Sequence, residues 1–283
     1  MAQFTNQAQL SYNNTVLNSN IATGELLDVL SVTKTAVTES YDRSGNAVYV
    51  VSIVNTGNTA YSGLTLTDNL GGYTFGSATV YPLNYVAGSV KYYNNGVLQT
   101  TAPTVTAGPP LVITGITVPA GGNATVIYEA DITGFAPLGT ESQINNTVTL
   151  SGNGITALTA TETIAAAAAP ELTINKTISP ASVTEGDRVT YTFTILNYGN
   201  TAATAADNVV IRDTFNPILS SLAVTFNGTA WAATTNYTYN QSSGEFATVA
   251  GQITVPAATY AQNTDGSYAI TPGVSVLTVT GTV

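Results

Sequence analysis

The sequence predicts an all-β protein: two tandem β-sandwich domains preceded by an N-terminal strand segment. Three observations carry this expectation. Apolar and polar residues alternate with period two over short stretches, as in Val48-Tyr49-Val50-Val51-Ser52-Ile53-Val54 and Val189-Thr190-Tyr191-Thr192-Phe193-Thr194-Ile195, the pattern of half-buried strands. Gly, Pro and Asn punctuate these stretches, and no amphipathic helical pattern interrupts them. The third observation is an internal repeat. Leu30-Ser31-Val32-Thr33-Lys34-Thr35 matches Leu172-Thr173-Ile174-Asn175-Lys176-Thr177, and at the same offset Val54-Asn55-Thr56-Gly57-Asn58-Thr59-Ala60 matches Leu196-Asn197-Tyr198-Gly199-Asn200-Thr201-Ala202.

The elements follow in order. Residues 1–24 read as a strand segment and residues 25–164 as the first sandwich. Ala165 to Ala169 and Pro170 read as a linker, since five alanines are too short for a stable helix and a proline follows. Residues 171–283 read as the second sandwich. Within the sandwiches, Asn95-Gly96 and Asn227-Gly228 predict tight hairpins, because the favoured two-residue turn needs positive φ at both positions. Asn263-Thr264-Asp265-Gly266 predicts a further hairpin turn and lacks the spaced acidic ligands of a calcium loop.

Composition excludes several functions. The chain has 283 residues with 6 Lys plus Arg against 16 Asp plus Glu, so no basic footprint for nucleic acid exists. It has no Cys and no His, which removes disulfides, thiolate nucleophiles, Cys/His metal sites and His-based acid–base chemistry. No cofactor and no metal are expected. No run of 18 apolar residues suggests a membrane span, and the polar start Met1-Ala2-Gln3-Phe4-Thr5-Asn6-Gln7 is not that of a signal peptide. No paired carboxylates of the glycoside-hydrolase kind stand out, so the chain is not expected to be an enzyme.

A Lys-Thr near the first strand, the Asn-x-Gly-Asn-x-Ala stretch, a strand ending in Asp and a late Asn-Thr-Val-Thr strand resemble the bacterial surface repeat known as domain of unknown function eleven. The resemblance covers roughly residues 28 to 283. It implies immunoglobulin-like sandwiches strung along cell-surface or fibrous proteins. Two such domains in a 29.1 kDa chain are also similar to the paired-domain subunits of endospore appendage fibres. That likeness implies a spore-surface or extracellular location and assembly without a signal peptide.

The repeat is incomplete in one place. The first domain continues into Ile144-Asn145-Asn146-Thr147-Val148-Thr149-Leu150-Ser151, for which the second has no counterpart before Val283. Phe4-Thr5-Asn6-Gln7-Ala8-Gln9-Leu10-Ser11 carries a matching pattern at the front of the chain. A sandwich without an edge strand exposes apolar surface and unpaired backbone groups, and strand addition from a neighbour repairs both. The expected donor strand is residues 1–12, with Phe4, Asn6, Ala8 and Leu10 facing inward. It would complete the second domain of the next subunit in a head-to-tail homopolymer. The other arrangements are a strand that folds back on its own chain, or a polypeptide that continues beyond Val283.

Residues two apart on a strand share a face. By that parity Lys34 falls with Leu30 and Val32, Asp68 with Leu64 and Leu66, and Asn146 with Ile144, Val148 and Leu150. Lys176, Asp213 and Asn6 fall likewise on apolar faces, Asp213 with Val209 and Ile211. Charged residues are almost never fully buried unless paired. A buried Lys with a depressed pKa, a buried acid and an Asn carboxamide are the parts of a self-formed Lys–Asn isopeptide bond. The parity leaves a second reading open: lysines that snorkel to solvent, aspartates that open turns and an Asn that satisfies a sheet edge. Glu129 is a competing acid in the first domain without an acidic counterpart in the second. At the level of function, a self-polymerising fibre subunit stands beside a surface adhesin or ligand-binding module.

Overall fold

The computed structural model describes residues 2–26, 29–152 and 154–283. Met1 of the expected donor segment lies outside them, as do Leu27, Asp28 and Asn153 of the expected first domain. The chain is all-β and of sandwich type; the only helical piece among the described residues is the short 3-10 turn Ala205–Asp207.

The N-terminus forms β1 (Ala2–Asn6), β2 (Gln9–Tyr12), β3 (Thr15–Asn18) and β4 (Ala22–Leu26). The next strands are β5 (Leu30–Ala36), β6 (Ser40–Tyr41), β7 (Asn46–Asn55), β8 (Tyr61–Asp68), β9 (Tyr73–Phe75), β10 (Ala78–Val80) and β11 (Leu83–Tyr85). They lead to β12 (Lys91–Asn94), β13 (Val97–Leu98), β14 (Thr104–Thr106), β15 (Leu111–Val118), β16 (Asn123–Ile132), β17 (Gln143–Ser151) and β18 (Leu158–Ala166). Two sheets result, in orders β13-β12-β16-β7-β5 and β14-β15-β8-β17-β18-β6. Their facing sides make one core, in which Tyr49, Ile53, Leu64, Leu66, Leu111 and Tyr128 are fully buried.

A second core follows, from Val189 to Val279. Its strands are β19 (Leu172–Ser179), β20 (Arg188–Asn197), β21 (Arg212–Thr214), β22 (Ser220–Phe226), β23 (Thr229–Trp231), β24 (Tyr237–Tyr239) and β25 (Glu245–Thr248). After these come the hairpin of β26 (Thr259–Gln262) with β27 (Tyr268–Thr271), and then β28 (Gly273–Thr282). The larger sheet runs β19-β20-β28-β22-β23 and the smaller β21-β25-β24.

The register repeats as the sequence does. Lys34 lies opposite Val51 in the first core and Lys176 opposite Phe193 in the second. The Asn-x-Gly-Asn stretch has a clear physical role. Asn55 donates to the carbonyls of Thr59 and Pro119 and accepts from the Gly57 amide; Asn197 does the same with Thr201, Pro256 and Gly199. Each asparagine ties a loop to the strand before it, and both are buried. Asn95-Gly96 and Asn227-Gly228 turn with positive φ at all four residues, as a right-twisted hairpin requires.

Three expectations need correction. Ala165 and Ala166 are not linker: they close β18 and pair with Ser40 and Tyr41, and the Ala166 methyl is buried in the first core. The N-terminal segment is not a lone strand: β1 pairs with β4 and β2 with β3, so the chain folds back as a long hairpin. A pair of strands satisfies half of its backbone groups internally, which one strand cannot do. Finally, the strand expected around Val209–Asp213 is paired only from Arg212 to Thr214, where β25 is available as a partner.

Candidate functional site

The first Lys–Asp–Asn set converges in the core between the two sheets. β5 presents Lys34, β8 presents Asp68, and β17 presents Asn146; all three are buried. The strand ladder fixes their approach, because β8 pairs with β17 in a register that sets Asp68 opposite Val148, one inward step from Asn146. The Lys34 ammonium donates to Asp68 Oδ2 at 2.5 Å, and neither side chain is appreciably exposed to solvent. Beneath the lysine lies the Tyr49 ring, 4.5 Å from Nζ, stacked on Tyr128 at 5.5 Å between centroids.

Tyr128 connects the set. Its hydroxyl donates to Asp68 Oδ2 at 2.6 Å and accepts from Asn146 Nδ2 at 3.1 Å. The Asn146 carbonyl oxygen accepts from the Gly71 amide at 3.3 Å, and Asp68 Oδ1 accepts from the Leu70 amide at 2.9 Å. The result is a continuous path: lysine amine, carboxylate, phenol, carboxamide nitrogen. Sequence reasoning missed Tyr128, although its parity on β16 carried the signal: Val126, Tyr128 and Ala130 all face the core. Glu129 takes the opposite face of β16 and stands apart from the set.

Burial controls the electrostatics. Desolvation lowers the Lys34 pKa to about 8, against the opposing pull of Asp68. Burial likewise raises the Tyr128 hydroxyl well above its ordinary value, and the adjacent Asp68 charge adds to this. The site therefore favours a neutral phenol and makes a neutral amine accessible near physiological pH. It also aims a backbone N–H at the carbonyl oxygen that would take up negative charge during attack. A desolvated amine of this kind is suited to nucleophilic chemistry.

The second set is half assembled. Lys176 on β19 donates to Asp213 on β21, and aromatic rings of Tyr191, Phe193 and Phe215 surround the ammonium. Yet 40% of the Lys176 side chain is exposed, and its strand neighbours Ile174 and Ile178 lie open to solvent. Val279, opposite Tyr191, stands where Tyr128 stands opposite Tyr49 in the first core. Asn6 sits on the exposed hairpin with Ala22 opposite it, and the structure does not bring it to Lys176. The remaining donor-strand residues, Phe4, Ala8 and Leu10, are exposed as well.

The fold and site thus define the class: an all-β, double-sandwich chain with one buried Lys–Asp–Asn set and one open Lys–Asp pair. No protein-family model and no curated protein matches the sequence. Among solved structures, the chain is similar to the C-terminal domain of the Streptococcus pyogenes antigen I/II-family protein AspA, with 11% identity over 90% of this chain and 92% of that one, at a TM-score of 0.37. It is also similar to BcpA, the major pilin subunit of Bacillus cereus, with 9% identity over 96% and 73% at a TM-score of 0.36. A collagen-binding domain from a Staphylococcus aureus adhesin matches 50% of this chain and 99% of its own length, with 11% identity and a TM-score of 0.32.

Proposed function

We propose that this chain is the structural subunit of a bacterial surface or spore-surface fibre, polymerising head to tail through its N-terminal segment and locked by Lys–Asn amide bonds. In this reading the chain is two domains of the surface-repeat type, with boundaries near residues 25, 164, 171 and 283. The observation that carries it is the contrast between the two Lys–Asp pairs. One is completed by an asparagine from the strand beside it. The other lacks that strand among the described residues, while a segment of matching pattern stands free at the N-terminus.

The chemistry balances without any co-reactant. The neutral Lys34 amine attacks Asn146 Cγ, its proton passing to Asp68. The bond from Cγ to Nδ2 breaks, the nitrogen takes up the proton, and ammonia leaves. Lys176 and Asn6 of a neighbour would react in the same way with Asp213 as the acid. An adhesin or ligand-binding module is the second reading. It lacks a specific observation: the recess of about 570 Å3 beside Asp213 lies over the paired strands β21, β25 and β24.

The test is direct. Purified chain should form filaments in negative stain and a ladder of multimers in boiling detergent, and its intact monomer mass should be one ammonia below the sequence mass, a loss of about 17 Da. Deleting residues 1–12 should leave soluble subunits that do not elongate. Unshifted mass together with detergent-soluble monomers would eliminate both bonds. Filaments that persist after the deletion would eliminate strand donation.

A further inference from the structure

The N-terminal segment is built as a copy of one particular piece of the first sandwich, and that piece has two strands. In the first core, β17 and β18 form a hairpin that lies along the edge of β8. Its inward residues pair as Ile144 with Ile164, Asn146 with Glu162 and Leu150 with Leu158. β17 completes the ladder, while β18, packed beside β5, shields Lys34 from water. In the N-terminal hairpin the corresponding pairs are Phe4 with Gly24, Asn6 with Ala22 and Leu10 with Leu17. Phe4 lies across Gly24, where any Cβ would overlap its ring, so Phe4 covers the positions of both isoleucines. Asn13 and Asn14 close the hairpin with positive φ. Neither strand pair of this hairpin is hydrogen-bonded to any other strand among the described residues, and Phe4, Leu10 and Leu17 are all exposed.

The second sandwich offers the matching vacancy. β21 is paired on one side by β25 and on the other by no strand among the described residues. The uncovered face of β19 carries Ile174, Lys176 and Ile178. A single strand would fill only the ladder edge. Two are needed to cover β19 as β18 covers β5.

Building on the head-to-tail reading above, we propose that the N-terminal hairpin of a second copy docks on the second sandwich as a two-stranded unit, and that this docking is the step that buries Lys176 and makes it reactive. The register follows from the first sandwich. Val148 faces Asp68 and Leu150 faces Leu66 there, so Ala8 of the incoming hairpin faces Asp213 and Leu10 faces Ile211. Asn6 then takes the place of Asn146, and β4 roofs the lysine. Before docking, Lys176 is in contact with water and paired with Asp213. After docking it is in the setting that desolvates Lys34, and its amine displaces ammonia from the Asn6 carboxamide. Crosslinking is thereby restricted to a correctly seated neighbour, and subunits with an empty groove remain chemically quiet.

The experiment uses the full chain. Leu17→Asp and Ala22→Asp alter only the second strand and leave residues 1–12 intact; both should reduce filaments and the detergent ladder at least tenfold, while the monomer mass still shows the internal ammonia loss. A synthetic peptide of residues 2–26 should cap growth at a concentration at least tenfold below that needed with residues 2–12. The full-length monomer Phe4→Asp/Leu10→Asp, which cannot donate, serves as acceptor. Reductive methylation should label its Lys176, and the 2–26 peptide should protect that lysine. Normal filaments from both second-strand variants, with equal capping by the two peptides, would overturn the two-stranded unit and leave the single donor strand standing. Labelling of Lys176 unchanged by a peptide that caps would overturn the gating. Filaments that survive deletion of residues 1–26 would overturn this proposal and the head-to-tail reading together.

Discussion

The two Lys–Asp pairs are the same design at two stages of completion. Lys34 and Asp68 lie in a finished core, with no solvent on the lysine and a phenol bridging to a carboxamide. Lys176 and Asp213 have the same strand positions and a similar aromatic bed, but no strand pairs with the second side of β21 among the described residues. The difference teaches that a strand does more than add hydrogen bonds. It changes the dielectric around a fixed pair of charges, and with it the cost of keeping them charged.

Breaking the pairs one at a time should expose that difference most strongly. Asp68→Ala leaves a buried lysine unpaired and should cost about 3–5 kcal/mol of stability in urea unfolding, besides abolishing the ammonia loss. Asp213→Ala in the free subunit should cost less than about 1 kcal/mol, because its partner is solvated. Equal losses would mean that the two environments do not differ as described. A control in which both halves behave alike comes next. Asn55→Ala and Asn197→Ala each remove the hub of a buried loop and should each cost about 2–3 kcal/mol. A smaller effect is expected from Tyr128→Phe, about 1–2 kcal/mol, since the ring stack on Tyr49 survives. The same change removes the link between Asp68 and the carboxamide nitrogen, so mass spectrometry of freshly made chain should find the ammonia loss slowed.

A further signature is in pH. With Asn146→Ala no internal amide can form, so Lys34 titrates. Its folded pKa, about 8, lies below its ordinary 10.5, so between these values the unfolded chain binds more protons. Stability should therefore rise with pH from about 8 towards 10.5, with a slope of at most about 1.4 kcal/mol per pH unit. Tyr41, Tyr49 and Tyr128 have raised pKa values from burial and oppose the rise above about pH 10, where unfolded tyrosines ionise. Urea unfolding across that range should show a maximum near pH 10, and Lys34→Met in the same background should remove the climb.

Much of this was legible in the sequence because the chain states it twice. Period-two alternation and the repeat located Lys34, Asp68 and Asn146 on inward faces, and the structure brings those three together. Tyr128 escaped because a tyrosine on an apolar strand face looks like ordinary core; only its hydroxyl's two partners distinguish it. The hairpin escaped for a different reason. Matching Phe4–Leu10 to Ile144–Leu150 depends on one strand's pattern, while β3 and β4 match β18 only through spatial pairing. Gly24 opposite Phe4 replaces an Ile–Ile pair by one ring over an empty position, which a residue-by-residue comparison cannot see. Ala165 and Ala166 were hidden for the converse reason: a run of alanines carries no alternation, although their backbone continues β18.

The positions of the proposed bonds have a mechanical consequence. In a fibre joined through Lys176 and the next subunit's Asn6, tension would enter each subunit at Asn6, cross by backbone to Lys34, pass through the amide to Asn146, and leave by backbone to Lys176. Residues 35–145 and 177–283, which hold most of both sandwiches, would hang beside that route rather than along it. Stretching such a fibre would leave the cores folded and load the pairing of β1 with β4 first. If that ladder and then the β2–β3 pairing yield, the turnaround of residues 7–21 is released as spare length, on the order of 50 Å per subunit at full extension, so the thread would lengthen and absorb work before any covalent bond is strained.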